Sequence, residues 1–470
     1  MIRKMSAAAV ALATAGLAQG AHAADLTPDQ ADFRSLYKEL LEINTTLSVG
    51  SCTAAAEAMA ARLKAAGYPD KDIQILAPDD RPKAGNLIAV LHGKDPKAKP
   101  ILLLAHIDVV EAKREDWERD PFKMVEENGY FYARGASDDK AMAASITDAM
   151  IRYKKEGFKP RRDIKLALTC GEETPDTFNG VSWLIKTHPE ALSAAFALNE
   201  GAGGQVDADG KPVFLGIQAG EKVYQDFQLV TTNPGGHSSR PVKDNAIYHL
   251  SAALTRLQNY DFPVAINEAT QGHFKEMAAI EGGDTGKALL GALAGDPAAI
   301  AEVAKDPSRN SMMRTTCVAT MVDAGHAPNA LPQRAEANVN CRILPGESVD
   351  SVEAKLVQVF DDPKIAVTAV GERSPVTPPP PLTDAIVGPV KTVAAQLWPG
   401  LPLVPAMATG ATDGRFLNAI GTPTYGLSGM LGDKDGQGVH GLNERIRVKS
   451  LYDGREFLYR VVKIYANAKG

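Results

Sequence analysis

The sequence predicts an α/β fold: a mostly parallel central sheet carrying an inserted α+β module. Three observations lead there. Apolar runs of strand length alternate with helical segments as far as Leu198, the pattern of a largely parallel sheet. Near Lys222 the pattern changes to half-exposed strands in the order βαββαβ, a small antiparallel module. A proline-rich stretch at 375–381 closes that module as a linker, after which strands and helices resume.

The elements follow in order. Residues 33–43 and 54–66 have apolar side chains at helical spacing, and Gly67 ends the second helix. Residues 86–91 read as a strand. Residues 101–105, a continuous apolar run after Pro100, suit a buried central strand. A helix at 141–153, a strand at 163–169, a helix at 181–186 and a strand at 194–198 complete the first part. In the module, strands at 223–231, 315–322, 335–343 and 365–370 accompany helices at 244–257 and 349–360. Gly325, Pro328 and Asn329 form the turn between the middle strands. An Ala-rich helical stretch, 268–311, interrupts the module. After the linker come a helix at 385–397, a strand at 422–426 and a closing helix at 449–466.

The chain has 470 residues, enough for two or three domains. Hydrophobic residues make up 44% and charged residues 23%, which argues against long disorder. A net charge of −6 without a basic patch argues against nucleic acid and anionic membrane surfaces as partners. The N-terminus reads as an export signal: Arg3 and Lys4, a short apolar stretch at 7–18, then Ala21-His22-Ala23 as the cleavage pattern. Cleavage after Ala23 implies a periplasmic or secreted protein, with no membrane span later in the chain. Cys52, Cys170, Cys317 and Cys341 include no C-x-x-C pair, which excludes a cysteine zinc knuckle. Cys317 and Cys341 lie on strands expected to pair, so a bridge there and buried free thiols both fit.

The chemistry sits just after the parallel strands. The strand at 101–105 runs into His106-Ile107-Asp108. Asp138-Asp139-Lys140 opens the next helix. The strand at 163–169 runs into Cys170-Gly171-Glu172-Glu173, and that at 194–198 into Asn199-Glu200. Gly438-Val439-His440 precedes the last helix. Open α/β sheets bind ligands at the carboxyl ends of their strands. Alone, a His-x-Asp is more often structural, a Glu-Glu pair more often solvated, and Asp-Asp-Lys more often a helix start. Five such elements at predicted strand ends point instead to metal. Two histidines with several carboxylates suit zinc, and five ligands serve two ions if one carboxylate bridges. One of Glu172 and Glu173 is then spare to act as a base.

In this order the stretches LLLAHIDVV, WERDPF, YARGASDDK, CGEE, NE, GGHSSRP, NALP, NCRILPG, ATDGRF and HGLNE resemble the M20-type zinc metallopeptidases over nearly the whole chain. That family includes glutamate carboxypeptidase, desuccinylases, aminoacylase-1 and dipeptidases. The resemblance implies two Zn²⁺ ions (Co²⁺ or Mn²⁺ being able to replace them) held by His106, Asp138, Glu173, Glu200 and His440, with Asp138 bridging and a cis peptide after it. It implies Asp108 orienting His106, and Glu172 as general base and then acid. His237 would stabilise the oxyanion, often from across a dimer, while Asn329 and Arg342 would hold the substrate's carboxylate. Glu at position 200 goes with carboxypeptidases and deacylases, Asp with aminopeptidases and dipeptidases. The implied organisation is a signal peptide at 1–23, a catalytic domain at 24–221 and 373–470, and a lid and dimerisation domain at 222–372 that the stretch 268–311 enlarges. Three departures, Ala141 for a usual Gly, TPDTFNG after Glu173, and that enlargement, bear on pocket shape and oligomeric state rather than on the ligands.

The expected protein is therefore a homodimeric di-zinc hydrolase of a peptide or N-acyl amino acid, cutting an amide beside a free carboxylate. The alternatives are a dipeptidase or aminopeptidase of the same family and, in another class, a non-catalytic periplasmic binding protein. The spare Glu172 argues against the last, since a metal carrier needs no base. His92, His188, His249 and His273 show no partner pattern in sequence; His326, in the turn near Asn329, is a weaker candidate for the pocket.

Overall fold

Alternation along one strand shows how the layers form. In Ile101–His106 the side chains of Ile101, Leu103 and Ala105 enter one core, and Leu102 and Leu104 enter another on the opposite face. A strand buried on both sides must be continuously apolar, and this one is. The computed structural model describes residues 26–174, 177–371 and 373–469; the expected signal peptide at 1–23 lies outside them.

The main sheet runs in the order Ile73–Leu76, Asn86–Leu91, Ile164–Thr169, Ile101–His106, Phe196–Asn199, Thr424–Gly426, Pro212–Glu221, Leu403–Ala408. The middle strands from Ile164–Thr169 to Thr424–Gly426 are parallel. Antiparallel pairs lie outside them, and Leu403–Ala408 again pairs parallel with Pro212–Glu221. Helices Pro28–Glu42, Cys52–Ala65, Lys140–Lys155, Asp384–Leu397 and Val448–Asn467 cover one face. Gly180–Thr187 and Gly414–Ala419 cover the other. Thr27 caps the first helix with a capping box shared with Gln30.

A second sheet has the antiparallel order Thr316–Ala324, Arg334–Ile343, Val223–Thr232, Ile365–Ala369. Helices Ala246–Gln258 and Val349–Phe360 pack on one of its faces, around Phe227, Val339, Leu250 and Leu356. The βαββαβ order is the one the sequence predicts. Cys317 and Cys341 face each other in register and form a disulfide. A second disulfide, Cys52–Cys170, has no counterpart among the sequence expectations.

The interrupting stretch is helical, as the sequence predicts. Helices Glu268–Glu281, Gly283–Leu293, Pro297–Val303 and Pro307–Met313 form their own small core around Phe274, Leu289, Val303 and Met313. The first of them lies on the main-sheet edge strand Leu403–Ala408. His273 Nδ1 is 2.9 Å from the Pro405 carbonyl oxygen. Gly272 permits the approach, since a Cβ there would come within 2.8 Å of the Pro405 ring. Lys222, buried where the two sheets meet in the chain, donates to Ser311 Oγ, Arg314 O and Thr316 Oγ1. Thus the stretch is tied to both sheets.

Candidate active site

His106 is the last residue of its strand and is buried. Its Nδ1 lies 3.1 Å from the backbone carbonyl oxygen of Asp108 and 3.7 Å from the Asp108 carboxylate. The ring is therefore oriented first by a main-chain oxygen, with the carboxylate behind it. Its Nε2 points to Asp138 Oδ1 at 3.0 Å and Glu200 Oε1 at 3.7 Å. Across the site, His440 Nε2 lies 3.1 Å from Asp138 Oδ2 and 3.0 Å from Glu173 Oε1. Asp138 thus offers one oxygen to each histidine. Donor atoms of His106, Asp138 and Glu200 converge within 4.8 Å, as do those of Asp138, Glu173 and His440. The Asp138–Asp139 peptide bond is cis.

The electrostatics show what this cluster lacks. Burial raises Glu200, the His106 charge opposing it and Asp138 and Asp139 adding to it. Burial pushes Glu172 up to about 9, against the charge of His106 and with those of Asp413, Glu173 and Asp108. Hydrogen bonds to Asp138 and Glu173 lift His440 to about 10. For His106, burial would lower the imidazole, but Glu200, Asp138 and Asp108 outweigh it and raise it. Burial opposes ionisation of Asp138 too, yet its hydrogen bonds to His106 and His440 hold it below the usual carboxylate range. Buried carboxylates therefore outnumber positive charges, and imidazole with carboxylate is the donor chemistry of zinc-like ions. The residues fit two cations sharing Asp138.

The loops bearing these groups are fastened by Asp108, in a role beyond orienting His106, and by Glu444, Arg134 and Asp413, for which the sequence suggested none. Asp108 accepts the backbone N–H groups of Glu172 at 3.3 Å and Glu173 at 3.0 Å. Glu444, four residues after His440, accepts N–H bonds from Gly135, Ser137 and Asp138, and pairs with Arg134 at 2.8 Å. Arg134 also donates to the Gly441 carbonyl oxygen. Asp413, in ATDGRF, accepts from Thr169 Oγ1 and Asn179 Nδ2 at the base of the Glu172 turn. The motif strings contain Glu444 and Asp413, so the only sequence signal was their place in those strings. Both Cys52 and Cys170 have their sulfurs within 4.8 Å of an Asp108 oxygen. Bonded to each other, they are a staple behind the site and not ligands.

The remaining predicted residues stand apart from this cluster. His237 is exposed on the short strand Gly236–His237, opposite Ala330, and its Nδ1 accepts from the Ser239 N–H. The Asn329 carbonyl oxygen accepts the Ser238 N–H, so these two predicted residues are neighbours. Arg342 lies over the Tyr224 ring. Among the described residues no hydrogen bond or ion pair joins His237, Asn329 or Arg342 to the metal-type ligands. His249 sits between Asp244 and Asp362, and His92 between Asp72 and Asp163, so these two have partners that the sequence pattern did not reveal. His326 is exposed.

The model of Peptidase family M20/M25/M40 matches residues 102–464. The chain is 29% identical over 381 residues to the N-fatty-acyl-amino acid synthase/hydrolase PM20D1 of Mus musculus, covering 79% of this chain and 75% of that one. It is 28% identical over 383 residues to the probable carboxypeptidase S-like 2 of Dictyostelium discoideum, covering 79% and 72%. Among solved structures, the M20 family metallo-carboxypeptidase Sso-CP2 from Sulfolobus solfataricus superposes with a TM-score of 0.67 at 18% identity, covering 94% of this chain and 100% of that one.

Proposed function

The chain belongs to peptidase family M20/M25/M40, and from that premise we propose a two-metal amidohydrolase that cleaves an amide bond beside a free carboxylate. One observation carries this reading: Asp138 presents its two oxygens to two separate histidine–glutamate pairs, His106 with Glu200 and His440 with Glu173. His106, Asp138 and Glu200 would hold one ion, and Asp138, Glu173 and His440 the other. Zinc suits these donors best, and cobalt or manganese would fit them. Such a pair of ions supplies, when bound, an acidified water and an electrophile for the amide carbonyl.

The chain's own groups do the rest. Glu172, adjacent to the ligand Glu173 and not needed as a ligand, takes a proton from the attacking water and returns it to the leaving amine. Asp108 fixes the height of both glutamates through their backbone N–H groups. His237 donates to the oxygen of the tetrahedral adduct, and Arg342 with Asn329 grips the carboxylate. One relative is named an N-fatty-acyl-amino acid synthase/hydrolase and another a probable carboxypeptidase S-like protein. An N-acyl amino acid and the C-terminal residue of a peptide both place an amide next to a carboxylate, which supports either as substrate. Exposed Val318, Met321 and Val322 on the edge strand Thr316–Ala324 support pairing of two copies. Two disulfides, with the N-terminal leader pattern, support an exported protein.

The test is a substrate panel on protein stripped by a chelator and reloaded with zinc, cobalt or manganese. N-acyl amino acids and C-terminally free peptides should turn over only in the reloaded protein. Their C-terminal carboxamides should be poor substrates. Full activity in metal-free protein, or a requirement for a free amine, overturns the reading.

A further inference from the structure

Arg342 is half-buried, yet no carboxylate among the described residues pairs with it. Its guanidinium instead lies 4.7 Å from the centroid of the Tyr224 ring. The two residues are direct cross-strand partners between Val223–Thr232 and Arg334–Ile343. Tyr224 is held in turn: its hydroxyl donates to Asp226 Oδ2 at 2.6 Å. Asp226 Oδ1 accepts from Asn340 Nδ2 at 2.9 Å and Asn338 Nδ2 at 3.1 Å. Asn338 reaches on to Thr320 Oγ1 of the edge strand at 2.8 Å. These are alternate positions on neighbouring strands, so all lie on the sheet face that turns away from the packed helices.

The arrangement separates two tasks. A guanidinium paired with a carboxylate has its fork occupied and its charge neutralised. One stacked on an aromatic face is held in place while its N–H donors stay free in the ring plane. Burial lowers the pKa of Arg342, against Tyr224 and Asp226, and the positive charge of Arg415 adds to the lowering. A second guanidinium close by makes the spot favourable for an anion. Asp226 balances the charge from a distance, through the tyrosine, without closing the fork.

We propose that Tyr224, locked by Asp226, is a positioning residue that holds Arg342 open for the substrate's carboxylate. This rests on the reading that Arg342 grips that carboxylate. Tyr224 touches no reacting atom; it acts through Arg342.

The experiment uses the metal-loaded protein, an N-acyl amino acid and its C-terminal carboxamide. Tyr224→Leu should raise KM for the carboxylate substrate about 10-fold while kcat stays within about 2-fold, and leave kcat/KM for the carboxamide unchanged. Tyr224→Phe keeps the ring and should raise KM only about 3-fold. In an Arg342→Ala background, Tyr224→Leu should add nothing, because the two act as one unit. Should Tyr224→Leu fold poorly, Asp226→Asn carries the same test, with the Tyr224→Phe result expected. Equal effects on both substrates, a loss in kcat alone, or additivity with Arg342→Ala would overturn the positioning role. An Arg342→Ala protein that still prefers the carboxylate over the carboxamide to the same degree as wild type overturns the underlying reading instead, and this inference with it.

Discussion

Glu444 and Arg134 form a buried ion pair of 2.8 Å that fastens the loop of His440 to the loop of Asp138. Glu444 also takes up three backbone N–H groups of residues 135–138, so one carboxylate sets the position of Asp138. Glu444→Gln leaves Arg134 buried without its counter-charge. The expected result is a loss of about 3–5 kcal/mol in stability and a fall of about 10–100-fold in metal affinity. Thermal unfolding and competition with a chromogenic chelator check these separately. Unchanged metal affinity would confine Glu444 to a structural role.

Asp108 offers a second such test. Its two oxygens receive two N–H groups, and an asparagine in its place would turn an NH₂ toward one of them. Asp108→Asn should therefore lower kcat and metal affinity about 10–100-fold with little change in KM. A variant with altered KM alone would show that Asp108 does not set the glutamate turn.

Glu172→Gln should lower kcat by about 10²–10⁴-fold with both metals retained, because it removes proton transfer without removing a ligand. Steady-state kinetics and metal content per chain decide it. Substantial activity in the metal-replete variant removes Glu172 from the mechanism.

Glu221, which is not among the candidate ligands, gives a pH prediction. It is fully buried at the end of the strand Pro212–Glu221; its Oε2 accepts the Thr412 N–H and its Oε1 has no partner. Burial raises it from 4.5 to about 7. Between those values the folded chain keeps a proton that the unfolded chain has lost. Its contribution to stability is therefore complete below 4.5 and declines as pH rises to about 7. Glu221→Gln cannot ionise, so its Tm relative to wild type should be higher at pH 8 than at pH 5, by an amount equivalent to at most about 3 kcal/mol. Parallel Tm–pH curves would show that Glu221 is already neutralised.

Three of the metal-type residues were legible because each comes just after an apolar run that reads as a buried strand. These are His106 after Ile101 to Ala105, Glu173 after the run ending at Thr169, and Glu200 after the run ending at Leu198. Asp138 and His440 follow no such run and were legible only from the motif strings that hold them. The βαββαβ order was legible from alternation alone. Strands Pro212–Glu221 and Leu403–Ala408 were not. Gly216, Gly220 and Pro405 break the periodicity, and their strand state is imposed by neighbours in the sheet. The same holds for partners distant in sequence. Nothing local to Arg134 announces Glu444, and nothing local to Cys52 announces Cys170, 118 residues on. That the helices of 268–311 lean on Leu403–Ala408 depended on a contact at Gly272 that no pattern encodes.

The staple between Cys52 and Cys170 bears on how the protein is made. Cys170 begins the turn that carries Glu172 and Glu173, and its bonded sulfur lies behind Asp108. A chain produced in a reducing cytoplasm keeps both as thiols, and then only non-covalent contacts hold that turn against the helix Cys52–Ala65. Two preparations of identical sequence and equal purity would then differ in specific activity. A count of free thiols per chain belongs beside every activity measured on this protein.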